Sequence, residues 1–283
     1  MIATSTRDAY LRRLQLPAEA PSIDALVRLH RAQVEQVPYE TTWLHLGEPW
    51  SVDPMASVQR IAHGGRGGYC FHVNGAFSLV LTALGYRVTR HVGGVHDAGA
   101  PIEPALGNHL VLIVHDLPTD ANPDGRWLVD AGLGDGLHEP LPLVPGEYRQ
   151  GPFTFRLTAE GDGGWHLDHD ELGSFAGVAI TAEPVAITRF EERHHFLSTS
   201  PESSFARTPT VQRRRADGVD MLRGLVLTSI GPDGVSKTIV EDRDDWFALL
   251  GTLGLRLRIP AAACERLWNN VTAAHAAWAA HAA

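Results

Sequence analysis

A chain of 283 residues with 44% hydrophobic and 20% charged residues has the composition of an ordinary globular protein, long enough for two or three subdomains around substantial cores. Its net charge of −9 argues against nonspecific nucleic-acid binding, which needs a basic face. Two cysteines, Cys70 and Cys264, make no disulfide framework, no Cys/His spacing has zinc-ligand form, and no apolar run approaches the roughly 20 residues that span a bilayer.

The start, Met1 to Asp8, lacks an apolar signal core, which fits a cytoplasmic protein. Residues 8 to 85 read as helical. Ser22 can cap a helix whose apolar positions are Ile23, Leu26, Val27, Val34 and Val37, ended by Pro38. Asp53-Pro54 is a cap with Pro at the first helical position, and Gly64-Gly65 stops that second helix. A glycine-dense turn, His63 to Gly68, then leads into Tyr69-Cys70-Phe71-His72-Val73-Asn74-Gly75. Phe71, Asn74, Phe77, Leu81 and Leu84 recur at the spacing of an amphipathic helix that Gly85 closes. Cys70 therefore sits in a first turn, where unpaired N–H groups and the helix dipole favour a thiolate nucleophile over a buried structural thiol.

From Tyr86 the pattern changes to short strands separated by Gly, Pro and Asp: 86–95, 109–115, 127–130, 153–158 and 175–180. An antiparallel barrel or curled sheet is the expected form, with residues 140–151 as a crossing loop. A cysteine nucleophile needs a base, and the base needs an orienting group. His109 heads one strand and Asp130 ends the next, across a turn-rich loop that makes the strands antiparallel neighbours. Asp130 is then placed to accept the Nδ1 proton of His109, although a strand-end turn former is an equal reading of this residue. His166-x-x-His169 and His194-His195 are too sparse to suggest a metal.

Arg213-Arg214-Arg215 reads as a solvated loop face. Residues 225–230 and 235–240 flank Gly231-Pro232-Asp233-Gly234, a hairpin signal, and Asp242 to Asp245 cap a helix carrying Trp246, Leu250 and Leu253. After Pro260 an alanine-rich helix bears Leu267, Val271, Ala274 and Trp278 on one stripe, for docking on the body or on a second copy in a homodimer.

The segments Arg66-Gly67-Gly68-Tyr69-Cys70-Phe71, Asn74-Gly75, the His109 strand and Val129-Asp130-Ala131-Gly132-Leu133-Gly134 closely resemble the arylamine N-acetyltransferases, as does Pro38-Tyr39-Glu40. The resemblance implies an α+β fold with an N-terminal helical bundle (1–85), a central antiparallel β-barrel (86–205) and a C-terminal α/β lid (206–283) around a cysteine-protease-like core. It implies Cys70, His109 and Asp130 as a catalytic triad, acetyl-coenzyme A or another acyl-CoA as co-substrate with no permanently bound cofactor or metal, and a small-molecule amine or hydrazine as acceptor. By the same matching, Asn108, Gly132 and Gly134 contact the coenzyme and Tyr39, Val95 and Leu133 face the acceptor. Arg66 and Glu40 support the Cys70 loop, unless both are solvated surface charges. His72, Val73, Asn108, Thr41 and Leu133 depart from the family pattern, which touches substrate more than chemistry. An amide synthase of the same fold fed by a carrier-bound or polyketide thioester, a Cys-His-Asp hydrolase and a noncatalytic binding module are the rival readings.

Overall fold

The structure is a computed structural model that describes residues 2–282. Its first part holds α1 (Thr4–Leu14), α2 (Ile23–Gln36), the two-residue strand β1 (Tyr39–Glu40), α3 (Thr42–His45), α4 (Pro54–Gly64) and α5 (Cys70–Ala83). Local chemistry sets the boundaries. Ser22 Oγ accepts from the N–H of Ala25 at 3.1 Å, and Asp53 accepts from Met55 and Ala56. Gly65, left-handed at φ 66°, ends α4. The expected amphipathic character of α5 does not hold. Its residues 70 to 78 are all buried, so it is the central helix of the first core rather than a surface one.

Eight strands follow: β2 (Arg87–His96), β3 (His109–His115), β4 (Trp127–Val129), β5 (Leu141–Pro142), β6 (Gly146–Gln150), β7 (Phe153–Ala159), β8 (Trp165–Asp168) and β9 (Gly177–Pro184). They form one antiparallel sheet in the order β5-β4-β3-β2-β9-β8-β7-β6. The two edge strands are joined by residues 143–145 alone, a tether of roughly 10 Å, so the sheet curls until it nearly closes as a barrel. The stretch 140–151, expected as a crossing loop, thus carries both edges; its two short strands lack any apolar alternation long enough to read.

The last part comprises α6 (Glu191–Thr199), α7 (Ser204–Arg207), the strands β10 (Thr210–Arg215), β11 (Gly218–Arg223), β12 (Val226–Gly231) and β13 (Gly234–Ile239), then α8 (Arg243–Thr252) and α9 (Ala261–Ala282). The second sheet runs β1-β10-β11-β12-β13, so Tyr39 and Glu40, inside the segment read as wholly helical, supply an edge of the lid. Asp242 caps α8 through the N–H groups of Asp244 and Asp245. Leu267 and Val271 of α9 are buried against Trp246 and Leu250, whereas Trp278 is 59% exposed and lies off that contact.

The Arg213-Arg214-Arg215 run is not a solvated loop. It is strand β10, and Arg214 is buried, giving its guanidinium to the carbonyls of Gly136 and Gln150 in the barrel and Gly218 in the lid, over the ring of Phe153. Burial away from a paired carboxylate lowers its pKa to about 10. No described helix is long and apolar enough to cross a membrane.

Candidate active site

Cys70 is the first residue of α5, and the N-cap Tyr69 gives that helix no side-chain cap. The Tyr69 hydroxyl instead meets His194 Nδ1 at 2.5 Å, while its carbonyl accepts from the N–H groups of His72 and Val73. The first-turn amide of Cys70 therefore has no intrahelical acceptor. The thiol lies 3.7 Å from the carbonyl of Asn108.

His109 heads β3 and Asp130 follows β4, and the pairing of these strands brings the two side chains together. The contact is His109 Nε2 to Asp130 Oδ2, at 2.6 Å, with both groups buried. This corrects the expected use of Nδ1: the aspartate takes Nε2, which leaves Nδ1 as the ring nitrogen not engaged by the carboxylate. Burial alone would lower the imidazole pKa. The Asp130 carboxylate and the Cys70 sulfur outweigh it and hold His109 at about 10.

Asp130 is itself gripped. Its Oδ1 accepts from Asn74 Nδ2 at 2.7 Å and from the N–H of Gly132 at 3.0 Å. Asn74 also donates to the carbonyl of Leu110 and accepts from the N–H of Ala131. The N–H of Asp130 donates to His30 Nε2 at 3.2 Å, and His30 Nδ1 donates to the carbonyl of His138. Full burial lowers the His30 pKa to about 4, which keeps the ring neutral and able to accept at Nε2.

A cavity of about 410 Å³ opens above the sulfur, lined by Tyr39, Cys70, Val95, Asn108, His109, Gly132 and Leu133 from the expected set, together with residues of α6, α7 and the lid sheet. The amide of Asn108 is engaged at both ends by the backbone of Val95, at 2.9 and 2.8 Å, so it shapes the wall more than it reaches into the space. Gly132 is needed for packing: a Cβ there would come within 2.7 Å of Cys70 Cα. Gly134 is off the cavity lining, left-handed at φ 72°, and faces Gln212. Burial first, and then the nearby Cys70 sulfur, raises the Tyr39 pKa well above its usual value, so its hydroxyl stays protonated.

Arg66 and Glu40 form a buried pair at 3.0 Å, with side chains 7% and 0% exposed, and the reading as solvated charges is overturned. Arg66 also bonds Glu48 at 2.9 Å and Thr42 at 3.2 Å. Asn74, His30, Glu48 and Gln212 were not read as site residues. Asn74 alone carried a signal, its place one helical turn after Cys70. Among the described residues no group of three or more His, Cys, Asp or Glu is placed to hold a metal ion.

The raised His109 pKa gives a signed expectation. Its stabilising contribution is fully present below the unfolded value of 6.5 and is lost as pH rises through about 10. The difference in urea midpoint between the parent and His109→Gln should shrink steadily from about pH 6.5 to about pH 10. A difference that does not change with pH would mean that His109 is not held as a cation.

The model of the N-acetyltransferase family matches residues 22–261. Arylamine N-acetyltransferase 1 of Homo sapiens is 30% identical over 245 residues, covering 78% of this chain and 82% of that protein. Among solved structures, the Nocardia farcinica arylamine N-acetyltransferase is 30% identical with a TM-score of 0.79, covering 93% of each chain. The Mycobacterium marinum arylamine N-acetyltransferase in complex with CoA is 28% identical with a TM-score of 0.81, covering 93% of this chain and 97% of that one. With the cysteine at a helix start, the histidine at a strand head and the aspartate behind it, these likenesses place the chain in the arylamine N-acetyltransferase family.

Proposed function

We propose that the protein transfers an acetyl group from acetyl-CoA to an aromatic amine or hydrazine through a Cys70 thioester. The observation that carries this reading is the contact from Asp130 to His109 Nε2, with Nδ1 not engaged by the carboxylate, beside an open cavity that Cys70 lines. Cys70 sulfur, as thiolate, attacks the thioester carbonyl, and the Cys70 amide donates to the oxyanion. The coenzyme A sulfur leaves and takes the proton from the His109 imidazolium. The amine then attacks the acyl-enzyme, His109 accepts its proton, and collapse releases the amide and restores the thiolate. Asp130 holds the ring in the tautomer that keeps Nδ1 toward sulfur and stabilises its charged form.

Intact-protein mass after mixing with acetyl-CoA tests the first half. One acetyl group should appear per chain and vanish on adding an arylamine. No adduct with acetyl-CoA, but one with a carrier-bound acyl chain, would make the protein an amide synthase of this fold.

Cys70 should be the cysteine that turns over. Cys264 lies on α9, partly exposed and outside the cavity that Cys70 lines. Stoichiometric iodoacetamide followed by peptide mapping should therefore find Cys70 labelled first; a predominant label on Cys264 would overturn the assignment.

A further inference from the structure

Asp130 is buried at a point where strand pairing has stopped, since β4 is matched to β3 only as far as Val129. Its N–H donates to the ring of His30, which accepts at Nε2 over 3.2 Å. The same ring donates from Nδ1 to the carbonyl of His138 at 3.0 Å. One side chain of α2 thus bridges both ends of the loop 131–137, whose Gly132 and Leu133 form part of the cavity wall. The helix itself does not ask for a histidine there. His30 lies on the buried face of α2 with Leu26, Leu29 and Val34, where an apolar residue would complete the stripe. A neutral imidazole offers what these two backbone groups need, a donor and an acceptor on opposite sides of one rigid ring; a carboxylate only accepts and an ammonium only donates. Burial outweighs the attraction of the Asp130 carboxylate and keeps the ring in that neutral form, with His138 the other titratable group acting on it.

We propose that His30 is a positioning residue for the acyl-transfer reaction: it clips the backbone of Asp130 so that Oδ2 meets His109 Nε2, and it acts through Asp130 without touching substrate. The inference rests on the acyl-transfer reading above. Asn74 and the N–H of Gly132 hold the carboxylate at Oδ1, and His30 holds the main chain that carries it. With both ends pinned, the 2.6 Å contact to His109 has one direction. Without the clip, the Asp130 N–H is a buried donor in need of another acceptor, and any shift of the main chain that finds one swings the carboxylate away from the ring.

Two amide substitutions separate the two bonds of the ring. His30→Gln can place its oxygen where Nε2 accepts, and so keeps a partner for the Asp130 N–H. His30→Asn can place its NH₂ where Nδ1 donates, keeps the bond to His138 and leaves the Asp130 N–H unpaired. Single-turnover acetylation of Cys70 by acetyl-CoA should stay within about threefold of the parent in His30→Gln and fall about 10–100-fold in His30→Asn. The His109 ring, followed by NMR of its nitrogens, should titrate at about 10 in the parent. That midpoint should hold in His30→Gln and drop by about one pH unit in His30→Asn, because a displaced carboxylate stabilises the imidazolium less. A merely structural role would lower the melting temperature of both variants and leave the rate and the His109 midpoint of the folded protein unchanged; that result overturns the proposal, as does an equal loss of rate in the two variants. Should His30→Asn not fold, His30→Met, which fills the space without a strong acceptor, takes its place with the same expected values. The titration needs no acetyl-CoA, so it decides the clip even where the parent forms no acetyl adduct, a result that would sink the acyl-transfer reading alone.

Discussion

Replacing Asp130 by Asn is expected to lower the acyl-transfer rate by a factor on the order of 10⁴ with the fold intact, the scale of the analogous change in a serine-protease triad. The geometry says why. Oδ1 receives two donors, from Asn74 and the N–H of Gly132. The oxygen of an asparagine must take that position, because its NH₂ there would face both donors. The NH₂ then points at His109 Nε2 and forces that nitrogen to accept. The ring proton moves to Nδ1, toward Cys70, and the histidine can no longer take a proton from the thiol. Circular dichroism should match the parent while single-turnover acetylation collapses. Acetylation within about threefold of the parent would show that another group orients His109, and would leave Asp130 as a turn former.

Arg66→Ala should instead act on stability. Removing one partner of a buried, hydrogen-bonded ion pair costs roughly 3–5 kcal/mol, because the other charge stays uncompensated. Glu40 is fully buried, and its carboxylate would keep only the N–H and hydroxyl of Thr42. Glu48 loses its contact too but retains Arg60 and a partly solvated setting, so it adds little. At about 2–4 °C per kcal/mol for a chain approaching this size, the melting temperature should fall by roughly 6–20 °C. The surviving folded fraction should still acetylate Cys70, since Arg66 lies off the cavity lining. An unchanged melting temperature with lost acetylation would move Arg66 into the reaction.

What could be read before folding was local. Ser22, Asp53 and Asp242 announced helix starts because a cap bonds N–H groups only two or three residues ahead. Cys70, His109 and Asp130 were legible because each sits at the end of an element with a marked boundary. The ring nitrogen facing Asp130 was not legible, since it depends on the side from which β4 delivers the carboxylate. Glu48, His30 and Gln212 act through space across 18 to 100 positions or on the far wall of the cavity, and no periodicity encodes such contacts. Arg214 misled for a related reason: an arginine run reads as solvated unless carbonyls from three other segments converge on it.

Strand β1 is only two residues long, yet it is held on both sides. Its Glu40 N–H donates to the carbonyl of Gly68 in the loop before Cys70, and its other edge pairs with β10, where the N–H of Thr41 donates to the carbonyl of Thr210. Glu40 within it anchors Arg66. The C-terminal sheet is therefore no detachable cap. A truncation before residue 210 would strip β1 of its pairing and expose the charge pair beneath it, so the loop that presents the cysteine would lose its support. The candidate site is thus an indivisible whole, in which the last third of the polypeptide is a condition for the first third to hold its shape.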